Sequence, residues 1–558
     1  MTPIPKPALV TQTAARRLPR LALLLLCAAY VLPGLFARDP WRGADLGAFG
    51  QMLAIAEGRA PWLQPMLGGV ATEAALLPHW VGAVAILLGQ GWLDPALAAR
   101  LPFALLLVLT LVAVWYATFH LACTDAAQPL PLAFGGEART VDYARAMADG
   151  ALLVLIATLG LLQLGHETTP ELAQLAALAG WQWAMAAAAQ RRGWRPRLGL
   201  LLCLPALAAC GAPAMAVALG VGGLLLCWLP GSAGLRPLAP WLAAATLAAA
   251  LAAGPTRSWA WRVAGGLDLG ALLRLWLWFL WPAGPLAVWT LWRWRQHLGH
   301  RHLVLPLLTL GVALLACAGM GGSDRALMLG LPGVAVLAAF ALPTLQRTTT
   351  AAVDWFSVFF FSACAGVIWL FYVAMQTGVP AAQAATLQRL VPGFAPLWSP
   401  AELVLALGGT LAWAWLVRWR TGRHREALWK SQVLPATGVA LCWLLLMTLW
   451  LPLLDYARSN RPLAQRLARH VPAGACVAAP AGSPSLVAAL EWHGRLKVDA
   501  RPDAALRTRC PVLLVAQRGR SGMAQAQAVR EAGWQEVARE RRPSDRQELT
   551  LVFRRSGL

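Results

Sequence analysis

The acids, arginines and histidines that could do chemistry are few and fall in clusters between long apolar runs. Residues 38–80 hold Arg38, Asp39, Arg42, Asp45, Glu57, Arg59, Glu73 and His79. His166, Glu167 and Glu171 follow a later run; Arg257, Arg262 and Asp268 form another set, and Asp324–Arg325 a last one. Charge at a bilayer is costly, so such residues are functional candidates by default. Arginines hold phosphate, and a carboxylate can take the proton from an attacking hydroxyl. Together they suit group transfer from an anionic, lipid-linked substrate. They suit proton-coupled transport poorly, because the apolar runs have few acids near their centres. Plainer roles compete at each position. Asp45 could cap the helix that follows it, Glu73 could be a solvated loop acid, and His79 an interfacial side chain. His166 and Glu167 border a helix end, and Arg325 could be a flanking anchor.

The elements that must position these residues are mostly membrane helices. The chain has 558 residues, 58% hydrophobic and only 13% charged, with a mean hydropathy of +0.57. Soluble domains carry roughly 25% charged residues. A span needs about 20 mostly apolar residues. Thirteen runs qualify: 20–37, 101–122, 147–165, 170–189, 198–211, 213–229, 238–254, 271–292, 303–319, 326–345, 353–376, 402–418 and 433–453. The run 75–93 holds Pro78, His79 and three glycines. Counting it as a span would invert every later loop. Without it, the loops on the side of the basic N-terminus carry 20 basic residues against nine on the other side. The positive-inside rule then puts the N-terminus in the cytoplasm and residues 455–558 outside. The net charge of +22 is therefore chiefly an orientation signal, and no nucleic-acid partner is implied. No small-residue cleavage site follows the first run, so it reads as a retained helix.

Residues 38–100 form a long external loop, and 45–57 has apolar residues at helical spacing. No internal repeat points to an inverted-repeat transporter. From Asp455 the composition turns polar. Helices are expected at 461–470, 484–492 and 522–533, and strands at 475–479, 495–499, 511–516, 535–540 and 548–554, which makes a small α/β domain. Eight of the ten cysteines lie in or beside apolar runs. Cys476 and Cys510 sit at strand starts on the external side, where a disulfide is one of the open pairings.

Residues 38–80 also resemble the first periplasmic loop of GT-C glycosyltransferases, in particular bacterial aminoarabinose transferases and protein O-mannosyltransferase-like enzymes. Asp45 matches the first acid of an Asp-Glu pair, Trp62 and Pro65 a W-x-x-P motif, and Glu73, Leu77 and Trp80 a segment that runs from Glu to Trp. Ser323–Asp324–Arg325 with Leu331–Pro332 is a weaker match. The sequence departs from the family at Leu46, Ala74, Ala75 and Leu76, which stand where relatives have Glu, Lys and two prolines. The "Lys-Gly-Pro" of relatives is here Cys210–Gly211–Ala212–Pro213.

The resemblance implies a polytopic α-helical GT-C-like protein of about 13 spans with juxtamembrane helices in its first loop. Residues 1–454 would be the membrane part and 455–558 a periplasmic α/β domain. It implies an inner-membrane transferase that moves a sugar from a polyprenyl-phosphate donor to a lipid, glycan or protein acceptor. Asp45 would be the catalytic base, with Glu167 as the second acid. Arg38, Arg42, Glu73, His79, His166, Glu171, Arg257, Arg262 and Arg325 would contact substrate. A divalent metal ion is a candidate cofactor, with Glu73 as its ligand. Two rival readings stand beside it: a non-catalytic relative that binds polyprenyl lipid or partners, and a glycolipid transporter.

Overall fold

The computed structural model describes residues 8–71, 75–131, 135–188, 190, 193–229, 233–254, 259, 263, 266, 268–421, 427–480, 482–504, 510–517, 519–545 and 548–555. Glu73, Arg257 and Arg262 lie outside them.

Proline and short polar caps start many of the helices. Asp94 shows how: its side chain accepts from the backbone N–H of Ala96 (2.9 Å) and Leu97 (3.3 Å), and Pro95 opens the helix where no N–H partner is needed. The first half of the chain has α1 (Arg20–Val31), α2 (Ala44–Ala56), a hairpin of β1 (Met66–Leu67) and β2 (Val70–Ala71), α3 (Leu76–Gly89), α4 (Pro95–Ala122), α5 (Thr140–Ala157), α6 (Leu159–Leu164) and α7 (Pro170–Ala187). Next come α8 (Trp194–Ala209), α9 (Pro213–Trp228), α10 (Ala239–Ala253), α11 (Leu269–Phe279), α12 (Ala283–Arg293), α13 (Arg301–Gly319), α14 (Asp324–Met328) and α15 (Leu331–Ala339). Then follow α16 (Arg347–Thr377), α17 (Ala381–Leu390), α18 (Pro400–Thr421), α19 (Lys430–Leu446) and α20 (Leu451–Arg458).

This is a helical membrane protein. Among the described residues five helices are long and apolar enough to cross a bilayer, and two bent pairs raise the number to seven. The bent pairs are α11–α12, at 96°, and α19–α20, at 73°. All thirteen apolar runs are helical over most of their length, but several are broken. The run 147–165 leaves helical geometry at Thr158, where ψ is 121°. The Leu159 N–H there donates to the Trp281 carbonyl at 3.0 Å, so the break leaves that donor satisfied. Length alone therefore carries fewer crossings than the hydropathy runs suggest. At 14 residues, α3 spans only about 21 Å.

The polar tail alternates as its sequence suggests: α21 (Arg461–Ala468), β3 (Cys476–Ala478), α22 (Pro484–Trp492), β4 (Lys497–Asp499), β5 (Val512–Gln517), α23 (Gly519–Glu531), β6 (Trp534–Arg541) and β7 (Leu549–Arg555). The strands form one mixed sheet in the order β4-β3-β5-β7-β6, parallel from β4 to β5 and antiparallel at β7. Cys476 and Cys510 are joined by a disulfide across the starts of neighbouring strands.

The sequence pattern predicts an amphipathic helix over 45–57. Instead α2 is buried from Asp45 to Ile55. It is covered by α3 on one side and by α22 of the tail on another. Two glycines allow this: a Cβ on Gly47 would sit 3.3 Å from that of Pro484, and one on Gly50 would sit 2.5 Å from that of Ala488. The hairpin adds a second tie, where the Ala500 N–H donates to the Gly68 carbonyl at 2.8 Å.

Candidate active site

Asp45 lies in the first turn of α2 and is 1% exposed. It does not cap its own helix, whose N-cap is Gly43. One carboxylate oxygen, Oδ1, accepts from the Thr168 N–H and the Thr168 hydroxyl, both at 2.8 Å. The other, Oδ2, accepts from the Trp41 N–H at 3.1 Å and lies 3.6 Å from Arg38 Nη2. Asp45 thus ties the loop after α1 to the turn between α6 and α7.

Arg38 is 3% exposed. It donates to the His166 carbonyl at 2.5 Å, and its Nε and Nη1 have no hydrogen-bond partner among the described residues. Its guanidinium lies 4.9 Å from the Trp41 ring centre, and that of Arg458 lies 4.8 Å from the same ring. Trp41 in turn donates from its indole to Asp455 at 2.7 Å. Arg458 donates to Gln163 at 2.8 Å, and Gln163 donates to Glu167 at 3.0 Å. Glu167 accepts from Arg325 at 2.5 Å, and Arg325 lies 3.6 Å from Glu171. Asp45, Arg38, His166, Glu167, Glu171 and Arg325 therefore form one contiguous polar network from three separate stretches of chain.

Burial raises the Glu167 carboxyl above its ordinary value, and the Asp45 charge adds to this, although Arg325 and Gln163 oppose it. Desolvation weakens the hold of Arg325 on its proton, but Glu167 and Glu171 outweigh it and raise its value. The two shifts pull opposite ways on one contact. The Glu167 shift is the one that matters near neutrality, since an arginine does not titrate there. Desolvation lowers His166 to about 4, against the pull of two backbone carbonyls. Those carbonyls, of Leu162 and Tyr30, lie 2.7 and 2.8 Å from its two ring nitrogens. A neutral ring has one N–H and can donate to only one of them. Desolvation and the nearby Arg38 charge prevail, and the ring is neutral.

A small gap of about 20 Å³, room for about one water, lies beside this network, lined by His166, Arg100, Gly34, Phe103 and neighbouring apolar side chains. Arg100 is 4% exposed, donates to the Leu35 carbonyl at 3.2 Å, and has two nitrogens without partners. Sequence reasoning did not single out Arg100, the last residue of the loop 38–100. It also passed over Thr168 and Gln163, which carry no charge, and Asp455 and Arg458, which read as the start of the tail.

Two expected residues fall elsewhere. Arg42 is half-exposed and pairs with Asp545 at 3.2 Å, so it joins the first loop to the C-terminal sheet. His79 is buried in α3, and no hydrogen bond or ion pair joins it to the network among the described residues. The Trp62 and Trp80 positions do meet: the Trp80 indole donates to the Trp62 carbonyl at 2.6 Å. No group of three or more His, Cys, Asp or Glu able to hold a metal ion occurs among the described residues.

No protein-family model and no curated protein matches the chain. Two solved structures are similar to it over nearly their whole length. One is ArnT from Cupriavidus metallidurans bound to undecaprenyl phosphate, at 13% identity and a TM-score of 0.59, covering 96% of this chain and 97% of that one. The other is the same ArnT in the apo state, at 14% identity and a TM-score of 0.57, covering 96% of each chain. The likeness is one of fold, and this chain has the same overall fold as ArnT.

Proposed function

We propose that this protein is an inner-membrane glycosyltransferase with its site at the periplasmic face. It would move a sugar from a polyprenyl-phosphate donor to a hydroxyl of a lipid, glycan or protein. The observation that carries this reading is the buried Asp45 carboxylate, held beside the Glu167–Arg325 pair with unpartnered guanidinium nitrogens of Arg38 and Arg100 at hand. The similar ArnT binds undecaprenyl phosphate, which supports a polyprenyl-phosphate partner. Thirteen spans and an external tail belong to the same proposal.

In this reading the acceptor hydroxyl oxygen attacks the anomeric carbon while the bond from that carbon to the phosphate oxygen breaks. Asp45 takes the hydroxyl proton, and polyprenyl phosphate leaves with the bonding electron pair. Arginine N–H groups hold the phosphate as its charge grows. Arg38 and Arg100 fill this role with Arg325, in place of the lysine that relatives have at the position of Ala74. Glu167 keeps Arg325 oriented. The described residues assemble no metal donor set, so no step is routed through a metal. Glu73 with a divalent ion remains part of the proposal, read by transfer with and without EDTA.

The test is Asp45→Asn in membranes given polyprenyl-phosphate-linked labelled sugars. Transfer should fall by about 10²–10⁴-fold, while the protein still binds polyprenyl phosphate. Unchanged transfer rejects the role. A second reading, a lipid-binding relative without activity, is favoured by the full commitment of Asp45 to Thr168 and Trp41. It predicts polyprenyl-phosphate binding with no product from any donor.

A further inference from the structure

The start of the C-terminal tail grips the loop that leads into α2. Asp455 and Arg458 on α20 and Arg461 at the start of α21 come at every third position, and α20 is bent by 73° from α19. Each of the three holds part of residues 39–42. Asp455 accepts from the Asp39 N–H at 3.1 Å and from the Trp41 indole N–H at 2.7 Å. Arg461 Nε donates to the Asp39 carboxylate at 2.9 Å, and the Arg458 carbonyl accepts from the Arg42 N–H at 3.0 Å. A loop tied at so many points has a defined course, so the side chains it carries are aimed.

Trp41 is the centre of this grip. It is 3% exposed, and its ring packs with Trp443, Met447 and Leu451. Its two N–H groups go to two acids, the backbone N–H to Asp45 at 3.1 Å and the indole N–H to Asp455. The ring carries two cations, with the Arg38 guanidinium 4.9 Å and the Arg458 guanidinium 4.8 Å from its centre. An aromatic face attracts a guanidinium through its quadrupole, and most strongly where water is excluded. The manner of holding matters. A carboxylate pairs with a guanidinium through its N–H edge and uses up those donors. A ring takes the flat face and leaves the donors open. Arg38 shows this. Its Nη2 is engaged, by the His166 carbonyl at 2.5 Å and by Asp45 at 3.6 Å, while Nε and Nη1 have no hydrogen-bond partner among the described residues. Donors left open in so dry a place are costly unless an anionic oxygen completes them.

We propose that Trp41 is a positioning residue for the substrate phosphate: anchored by Asp455, its ring fixes the Arg38 guanidinium by the face and so keeps the Nε and Nη1 donors of Arg38 open to an anionic oxygen. This rests on the phosphate-holding role given to Arg38 in the reading above. Asp455 then acts on the site through Trp41, from the start of the tail, without touching the substrate.

The test is a double-mutant cycle on the full-length protein in detergent, titrated with undecaprenyl phosphate by native mass spectrometry, with sugar transfer measured in the same preparations. Arg38→Gln should weaken binding by about tenfold or more. Trp41→Leu should weaken it by about tenfold, the scale of a desolvated cation–π contact. The double variant should bind about as Arg38→Gln alone does, because Trp41 acts through Arg38. Trp41→Phe keeps a ring against the guanidinium and should stay within about threefold of wild type. A tryptophan that only filled the core would give a loss that adds to that of Arg38→Gln. Wild-type affinity in Trp41→Leu, an additive loss in the double variant, or a loss with Trp41→Phe as large as with Trp41→Leu overturns the proposal. If Trp41→Leu does not fold, Asp455→Leu runs the same cycle, since it frees the indole and keeps the ring. The same non-additive loss is then expected, and wild-type affinity or an additive loss overturns the proposal. A wild type that binds undecaprenyl phosphate but transfers no sugar removes only the catalytic reading, and the cycle still decides on Trp41. Additive losses in a protein that transfers remove only the role of Trp41. Absent wild-type binding overturns that role and leaves Asp45 to its own test.

Discussion

Arg100 is the residue whose importance rests most on its surroundings. A guanidinium enclosed by apolar side chains, with two nitrogens unpartnered, is costly unless something anionic completes it. Arg100→Gln should weaken polyprenyl-phosphate binding by roughly ten- to a hundredfold, the size of a lost charge-assisted hydrogen bond. A direct binding titration reads this, and unchanged affinity removes Arg100 from the phosphate role. Glu167 makes a pH prediction. Its carboxyl is raised from 4.5 in the folded chain, so the folded state binds that proton more firmly than the unfolded one. The stability contributed by the neutral form is complete below 4.5 and is lost as pH rises through the raised value. Glu167→Gln is neutral at every pH. Its thermal midpoint should match wild type near pH 4.5 and exceed it at neutral pH. A difference that does not change with pH contradicts the assignment.

At the scale of elements, the contact between α2 and α22 decides where Asp45 stands. Gly50 has no room for a side chain, with Ala488 so close that a Cβ would fall 2.5 Å from it. Gly50→Leu should cost about 1–3 kcal/mol through overpacking and lower transfer without touching the polar network. Thermal unfolding in detergent checks the first effect, and a midpoint within error of wild type refutes it. The disulfide between Cys476 and Cys510 closes a loop with a sequence separation of 34. Such a loop is worth about 3–4 kcal/mol in the chain-entropy account, so Cys476→Ala with Cys510→Ala should lower the unfolding midpoint of the sheet. These elements were largely legible in the sequence. The strands and helices of the tail follow local periodicity and β-branched runs, which need no distant partner to be read. The burial of α2 was not legible, because one of the two helices that cover it, α22, is more than 400 positions away.

At the scale of the whole molecule, orientation is the property on which the site depends. Basic residues crowd the loops on the N-terminal side, and the disulfide suits an oxidising compartment. In intact bacterial spheroplasts a bulky, membrane-impermeant thiol reagent should label Cys476 and Cys510 only after reduction. Labelling that requires lysis would place the tail inside and the proposed site on the wrong face.

The sequence by itself determined the class of molecule and the alternation of its tail. Each of these rests on composition or on spacing over a few residues, where local physics suffices. The resemblance to a family motif singled out Asp45, whose catalytic role belongs to the proposal above. Only the tertiary structure decided which groups meet Asp45. Thr168 lies 123 positions away, Arg325 is 158 from Glu167, and Asp455 is 414 from Trp41. The structure also pairs Arg42 with Asp545 of the C-terminal sheet and puts Arg100 beside His166. Burial and partnering set the charge state and reach of each group, and both come from chain segments that the linear order keeps far apart.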